Sequence, residues 1–212
     1  GINQGIVMTT GTVANNPSGP QGPNNLPSAG VDNNMGGSGI LSNLIGGGTT
    51  TFNAATLEFD FIPYSDTVKF KYVFGSDEYP EFAPPNNSGY NDVFGFFLSG
   101  PGITGPYLSG TAANIAVIPG STPSAAISIN NLNNGTANNG PCEYCNFYVN
   151  NGTGNPVVLN STIHYDGFTS VIGAVSNVQC GLTYHIKLAI ANVGDNGWDS
   201  AVFLEAGSFN VT

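Results

Sequence analysis

The sequence predicts an all-β fold, a β-sandwich or jelly roll with long Gly/Asn-rich loops. Short apolar segments follow one another along the chain, and none keeps the roughly 3.6-residue hydrophobic period of a helix. The 212 residues include 30 Gly and 14 Pro, which favour turns between short strands. Because one β domain can exceed about 200 residues, we expect a single domain over residues 1–212. Residues 1–50 would form its loop-rich N-terminal part and residues 51–212 its sandwich core.

The clearest strand predictions are residues 56–63 and 67–75, because apolar side chains occupy alternate positions in both. Before them, residues 5–12 predict a short strand. An apolar island at residues 40–45, inside a long polar segment, predicts a helix or strand that anchors this segment. Residues 92–99 are apolar at successive positions, which is typical of a central strand covered on both faces.

The remaining predicted strands are short and follow the same pattern. They are residues 114–118, 126–129, 147–149, 157–159, 161–165, 169–175, 183–191 and 201–209. In the second alternating strand, Lys69 and Lys71 point away from the apolar face. We expect these lysines to pair with Glu58 and Asp60 across neighbouring strands.

The charge balance excludes several classes of partner. The chain has 3 Lys+Arg and 13 Asp+Glu, a formal net charge of −10. Nucleic-acid binding requires a basic surface, and so does attraction to anionic membranes. No apolar run reaches the roughly 20 residues of a membrane span, so we expect no direct membrane insertion. Low charge with abundant Asn, Thr and Gly is typical of secreted domains on the bacterial cell surface.

Acidic and amide side chains gather in three loops at the ends of predicted strands. Without basic partners, clustered carboxylates and Asn side chains suit a hard cation, most simply calcium, which binds through oxygen. The candidate ligands are Asp77, Glu78, Asn91, Asp92, Asp195 and Asp199. The alternative is that these residues cap turns through hydrogen bonds to the backbone.

Aromatic residues accompany the acidic loops. Tyr79, Tyr90 and Trp198 are the candidate ligand-binding residues, because rings beside a cation site can stack on a sugar or pack on a peptide. The alternative for Trp198, the single Trp of the chain, is that it packs the loop onto the core.

The three cysteines, Cys142, Cys145 and Cys180, are candidates for a structural disulfide. The bond could form within the Cys142–Cys145 loop or between one of these residues and Cys180. The CxxC spacing occurs in a Gly/Asn/Pro loop rather than at a helix start, which disfavours a redox role. His164 and His185 lack the spacing of zinc ligands.

The sequence offers little for catalysis, and we expect no enzyme. Asp77 and Glu78 are adjacent, so on a strand they would point to opposite faces rather than form a hydrolytic pair. The nucleophile motif GxSxG is absent, and His185 lies in an alternating strand. A glycan-active hydrolase remains the weaker alternative.

Several motifs together resemble one protein family. They are LEFDFIP, YVFGSDEYPEF, NDVFGFFLSGPGI, NIAVIPG, ISINNLN, YDGFTSVIGA and TYHIKLAIANVGDNGWDSAVFLEAGSF. Over about residues 5–210 the chain resembles the choice-of-anchor L domains of secreted bacterial surface proteins. The resemblance implies an all-β extracellular domain, related to calcium-dependent ligand-binding domains of large bacterial adhesins.

The chain departs from the family pattern at positions that bear on the cation. Asn192 and Asn53 stand where family members usually or often carry Asp, and residues 37–41 replace a loop that often reads Gly-Asp-x-Asp-Leu. Fewer carboxylates would weaken a cation site, although Asn can still serve as a ligand.

The leading hypothesis is an adhesion module that binds a glycan or peptide on another cell or matrix near a calcium-supported loop cluster. The family often has a further segment before the strand at residues 5–12. A sandwich without it would have an open edge that a strand of another copy could fill. The alternative hypothesis is therefore a subunit of an extracellular filament, joined to copies of itself by strand complementation.

Overall fold

A computed structural model describes residues 1–14, 19–26, 28–86, 89–152 and 162–209. It confirms the predicted fold class: two antiparallel sheets are consistent with a β-sandwich. The strands are β1 (Gly5–Thr9), β2 (Thr51–Phe61), β3 (Thr67–Ser76), β4 (Val93–Ser99), β5 (Ala112–Asn114), β6 (Ile127–Ser128), β7 (Tyr148–Asn150), β8 (Gly167–Thr169), β9 (Ile172–Asn177), β10 (Tyr184–Val193) and β11 (Ser200–Glu205). Helix α1 spans Gly39–Leu44, and single 3₁₀ turns occur at Leu108–Gly110 and Cys145–Phe147.

Each sheet is assembled from strands that are distant in sequence. The first sheet has six strands in the order β1-β11-β3-β8-β7, with β9 also pairing with β3. The second has five strands in the order β2-β10-β4-β5, with β6 also pairing with β4. None of the helices in the described part of the chain has the length and apolarity to cross a bilayer.

The main core lies between the two sheets, and alternation along the strands directs side chains into it. β3 contributes Val68, Phe70, Tyr72 and Phe74; β4 contributes Phe94, Phe96 and Leu98; β10 contributes Ile186, Leu188 and Ile190. The predicted inward face of β2 is confirmed, because Leu57, Phe59 and Phe61 pack against this core. They stay half-buried because β2 is an edge strand of its sheet.

The opposite face of β4 is buried as well, as the sequence predicted. Val93 and Phe97 pack in a second apolar cluster with Leu41, which is fully buried on α1. The apolar island at residues 40–45 is therefore an anchoring helix. It holds the long N-terminal segment against the second sheet.

The predicted pairing of Lys69 and Lys71 with Glu58 and Asp60 is wrong, because β2 and β3 belong to different sheets. The chain passes from one sheet to the other after β2, so consecutive strands are not neighbours. The partners come from β10: Lys187 Nζ lies 3.2 Å from Glu58, and His185 Nδ1 lies 2.8 Å from Asp60. Lys71 instead approaches Glu205 on β11, at 3.4 Å.

Two predicted strands differ from the structure because side chains or loops interrupt the ladder. Residues 114–118 do not continue β5, since Asn114 Oδ1 accepts hydrogen bonds from the backbone N–H groups of Phe96 and Ala116, at 2.8 and 3.2 Å. Residues 169–175 divide into β8 and β9. Between them, Ser170 N donates to Phe147 O at 2.7 Å.

The prediction for residues 161–165 is wrong in its described part, residues 162–165, where Ile163 forms only a single bridge with Gln21. The predicted strand at residues 157–159 lies outside the described residues.

Candidate functional site

The three acidic loops converge at one end of the sandwich because their strands are neighbours. Ser76 at the end of β3 lies opposite Ser200 at the start of β11. Val93 at the start of β4 lies opposite Ala191 near the end of β10. The two ends of the loop that joins β3 to β4 and the loop between β10 and β11 therefore meet; we call this region the acidic loop end.

Asp77 fastens three segments of the acidic loop end. Its fully buried carboxylate accepts hydrogen bonds from Ala29 N at 3.0 Å and from Asp166 N at 3.1 Å. Its own backbone N–H donates to Asp199 O at 3.1 Å. Both carboxylate oxygens therefore have structural partners.

Asp92 and Asp199 are also buried and bonded to the backbone. Asp92 Oδ1 accepts from Val193 N at 2.9 Å, and Asp92 Oδ2 accepts from Ser200 Oγ at 2.6 Å. Asp199 Oδ2 accepts from Val31 N at 2.9 Å. Asp199 Oδ1 has no hydrogen-bond partner among the described residues.

Glu78 is a further buried acid of this end. Its side chain is buried, and its Oε2 has no partner in the described part of the chain. The carboxylates of Asp92 and Asp195 lie close enough to act on its charge. Asp195 is half-buried, and its Oδ1 accepts from Gly197 N at 2.9 Å.

Burial makes the charged forms of these acids unfavourable. Desolvation, and then the neighbouring Asp166 carboxylate, raise the pKa of Asp77 well above its usual value. Desolvation and the charges of Asp92 and Asp195 likewise raise the pKa of Glu78. Burial raises the pKa of Asp92 despite its two hydrogen bonds, and raises the pKa of Asp199 to about 7.

Basic side chains do not compensate these acids. Lys71 pairs with Glu205, Lys187 pairs with Glu58, and Lys69 is exposed on β3 opposite Val175. The chain has no other lysine and no arginine. Lysine and arginine side chains therefore do not neutralise the acidic loop end.

The donor set is mixed rather than a cluster of carboxylates alone. Within the described ranges, no three His, Cys, Asp or Glu side chains form a group that could hold a metal ion. The oxygens without partners among the described residues include Glu78 Oε2, Asp199 Oδ1 and Asn192 Oδ1. Asn91 Oδ1, another candidate ligand, accepts from Asn130 N at 2.8 Å. Calcium accepts such mixtures, because amide and backbone carbonyl oxygens are ordinary ligands for it.

Asn53 and Asn192 are both buried and hydrogen-bonded. Asn53 has a left-handed backbone (φ 49°), which Asn tolerates, and its Oδ1 accepts from Met35 N at 3.1 Å. Asn192 Nδ2 donates to Gly197 O at 3.2 Å. Both side chains hold the loops that carry the acids.

The predicted aromatic residues divide into two groups. Tyr79 lies in the core rather than at the surface: its ring packs on Tyr148, and its hydroxyl donates to Leu132 O at 2.6 Å. Trp198 and Tyr90 are half-buried at the acidic loop end. Phe82 contacts both, with ring centroids 4.8 Å from Trp198 and 4.9 Å from Tyr90. We call Trp198, Phe82 and Tyr90 the aromatic row.

Asp166 was missed in the sequence because it is one acid in a segment far from the three loops. It is buried, and its Oδ1 accepts from Asn24 Nδ2 at 2.6 Å. The signal that could have found it is its position directly before β8, which matches the position of Asp92 directly before β4.

The cysteines form one disulfide bond and leave one free thiol. A disulfide joins Cys142 to Cys145, the local pairing of those the sequence allowed. Cys180 is exposed and unpaired.

Comparison with known proteins agrees with the motifs. The family model described as choice-of-anchor L domain matches residues 1–210. Domains of this family are typically found in secreted bacterial surface proteins. Searches of curated proteins and of solved structures found no match. With a two-sheet β fold and a family match over almost its whole length, the chain belongs to the choice-of-anchor L domain family.

Proposed function

We propose that this chain is an extracellular, non-catalytic adhesion module. Its acidic loop end binds calcium, and the aromatic row beside that end contacts a glycan or peptide ligand. The proposal depends most on the surroundings of Glu78. Its buried Oε2 has no partner among the described residues, and other carboxylates lie near it with no lysine to neutralise them.

The physical reason for a cation is the cost of burying charge. An ionised carboxylate in a poorly solvated site is unfavourable unless it is paired or coordinates a metal. In this proposal Glu78, which has a buried oxygen without a described partner, either keeps a proton or shares a cation. A divalent ion would supply the positive charge that the chain lacks, and the mixture of carboxylate and amide oxygens suits calcium.

The acids divide into two roles in this proposal. Glu78 and Asp195 are the proposed calcium-binding carboxylates, because the charge of Asp195 acts on Glu78. Asn91, shortly before β4, and Asn192, near the end of β10, are the proposed amide donors. Asp92 holds the loops through Val193 N and Ser200 Oγ. Asp77 holds the loops through its two backbone bonds. Asp199 does so through Val31 and also has one oxygen without a described partner.

The aromatic row connects the cation to a ligand. Trp198 follows Asp195 by three positions in one loop, and Phe82 follows Glu78 by four positions in another. A cation that bridges these loops would also fix the rings they carry. Ordered, half-buried rings suit stacking on a sugar or packing against peptide side chains at low entropic cost.

Titration calorimetry with calcium, and with magnesium for comparison, tests the cation. We expect calcium to bind with measurable heat and to raise the melting temperature relative to a chelator. Glu78→Gln keeps the shape of the side chain but removes its charge, and should weaken calcium binding about tenfold or more. The matched control is Glu58→Gln, an exposed acid on β2, which should bind as the wild type does. Absence of both heat and a melting shift would refute the cation site.

A glycan and peptide array, probed with and without calcium, tests the ligand. Trp198→Ala should lower binding about tenfold, in line with the loss of one stacking ring. The control is Tyr64→Ala, because Tyr64 is an exposed ring after β2, away from the aromatic row. If Trp198→Ala leaves binding unchanged, the aromatic row is not the ligand surface.

A further inference from the structure

Strand β1 has a backbone edge with which no described strand pairs. In its ladder with β11, the even-numbered residues are hydrogen-bonded: Gln4 O accepts from Ala206 N at 2.9 Å, and Thr10 N donates to Ser200 O at 3.0 Å. By the alternation of an antiparallel ladder, the backbone groups of Gly5, Val7 and Thr9 point away from β11. These outward groups have no hydrogen bond to any described residue.

On the same edge, no described strand lies beside the side chains of β1. Ile6 lies opposite Leu204 and on the same face as Met8, which packs against the core. Ile6 nevertheless stays 55 % exposed. Exposure falls along the strand, from Gly5 and Ile6 to the buried Thr9. An adjacent strand would satisfy the backbone groups and cover Ile6 at the same time.

Strand β9 provides an internal comparison, because among the described strands it also pairs on one side only. Its Gly173 and Val175 point outward, since Val178 N donates to Asp66 O in the ladder with β3. Its core-facing residues, Ile172 and Ala174, are already buried without a further strand. The two edges therefore differ: the core-facing side chains of β9 are buried, whereas Ile6 of β1 is exposed.

Strand β1 also lacks the usual protection against pairing. Edge strands are commonly protected by charged residues, proline or a bulge. Gly5–Thr9 has the sequence GIVMT, with no charge and no proline, and its register with β11 is regular. Val7 additionally lines a cavity of about 1010 Å³ on the outer face, whose walls include Val73, Phe168 and Phe203 and no charged side chain.

We propose that β1 pairs antiparallel with β1 of a second copy of this chain across a two-fold axis at Ile6. In this register Ile6 faces Ile6 of the partner subunit, and Gly5 faces Val7. The outward backbone groups of Gly5 and Val7 then form about four hydrogen bonds between the copies. The centre lies at Ile6 because this end of the strand is accessible and the Thr9 end is not.

Two-fold pairing has consequences that separate it from other assemblies. The same edge is used on both copies, so the assembly closes at a dimer and does not extend into a filament. The contact is small, so the dimer should be weak. Each copy has a net charge of −10, while the paired strands have none; added salt should therefore tighten the dimer by screening the repulsion.

Sedimentation equilibrium of the 212-residue chain, from about 10 to about 500 micromolar and at low and high salt, tests the proposal. We expect a reversible monomer–dimer equilibrium that salt strengthens. Val7→Pro removes an outward N–H that is not bonded to β11, so it should weaken the dimer about tenfold or more while the melting temperature stays near wild type. The matched control is Val175→Pro on β9, which removes an outward N–H from the other open edge and should leave the dimer intact.

Ile6→Lys is the second variant, in case proline disturbs β1. It places two like charges opposite each other at the axis, so a folded Ile6→Lys chain should be monomeric throughout. A wild-type chain that is monomeric at every concentration would overturn the proposal. So would open-ended growth, or equal weakening by Val7→Pro and Val175→Pro.

Discussion

Carboxylates occur in two settings in this molecule: the acidic loop end around Glu78, and the outer face of β2 and β10 around Glu58. At the acidic loop end Asp77 and Asp92 are buried and bonded to backbone N–H groups, Glu78 is buried with an oxygen that no described residue bonds, and no lysine pairs with them. On the outer face, Glu58 and Asp60 are exposed and lie beside Lys187 and His185. The same chemical group is thus costly to ionise in one setting and easily ionised in the other.

The difference shows what each region can do. We call the pairs that Glu58 and Asp60 form with Lys187 and His185 the outer ladder. Exposed pairs of this kind contribute little to stability, because water solvates and screens them. The hydrogen bonds to Glu58 from Lys187 and His185 outweigh its slight desolvation and lower its pKa, whereas burial raises the pKa of Glu78. A bound cation would therefore change the acidic loop end strongly and the outer ladder hardly at all.

The largest expected effect is that of Asp77→Ala. This change leaves the buried N–H groups of Ala29 and Asp166 without their acceptors, so it should lower the free energy of unfolding by about 3 kcal/mol. Urea unfolding measures it, with Asp60→Ala on the outer ladder as the control, expected to lose about 0.5 kcal/mol or less. A similar loss of unfolding free energy in both variants would show that the two regions do not differ in their contribution to stability.

The next effect is a loss of stability with rising pH in the presence of a chelator. The folded-state pKa values of Glu78, Asp92 and Asp199 are raised, so the folded chain keeps protons that the unfolded chain releases. Stability should be full below the unfolded carboxyl values of about 4 and should fall until pH passes the raised folded values, about 7 for Asp199. We expect a loss of about 1 kcal/mol or more between about pH 5 and about pH 8. Melting temperatures that rise over this pH interval would contradict the raised pKa values of these three buried acids.

The smallest effect is that of His185→Gln on the outer ladder. The hydrogen bond to Asp60 raises the pKa of His185, so its contribution is present below about pH 6.5 and is lost as pH rises through the folded value. Because the ring is exposed, the change should cost about 0.5 kcal/mol or less at low pH. The variant should keep most of the wild-type decline in melting temperature with pH. If His185→Gln abolished that decline, the outer ladder rather than the acidic loop end would be its source.

The sequence predicted those features that depend on local pattern. Alternation identified β2 and β3, and a run without polar residues identified β4 as covered on both faces. Acids at strand ends were expected to meet, and the pairing of β3 with β11 and of β4 with β10 brings them together.

Features that depend on topology could not be read in this way. Lys69 was assigned the wrong acidic partner because the chain changes sheets between β2 and β3. Tyr79 follows directly after Glu78, yet the turn after β3 directs its ring into the core. Asp166 reaches the site only through the pairing of β8 with β3, in which Gly167 lies opposite Ser76.

The calcium site at the acidic loop end is tested most directly by the rise in melting temperature that calcium causes, measured at about pH 8 and at about pH 5.5. Protons and calcium compete for the same buried carboxylates, so calcium should stabilise the chain more at the higher pH. We expect a clear rise at about pH 8 that shrinks at about pH 5.5. No rise at either pH, or a larger rise at the lower pH, would contradict a cation site at the acidic loop end.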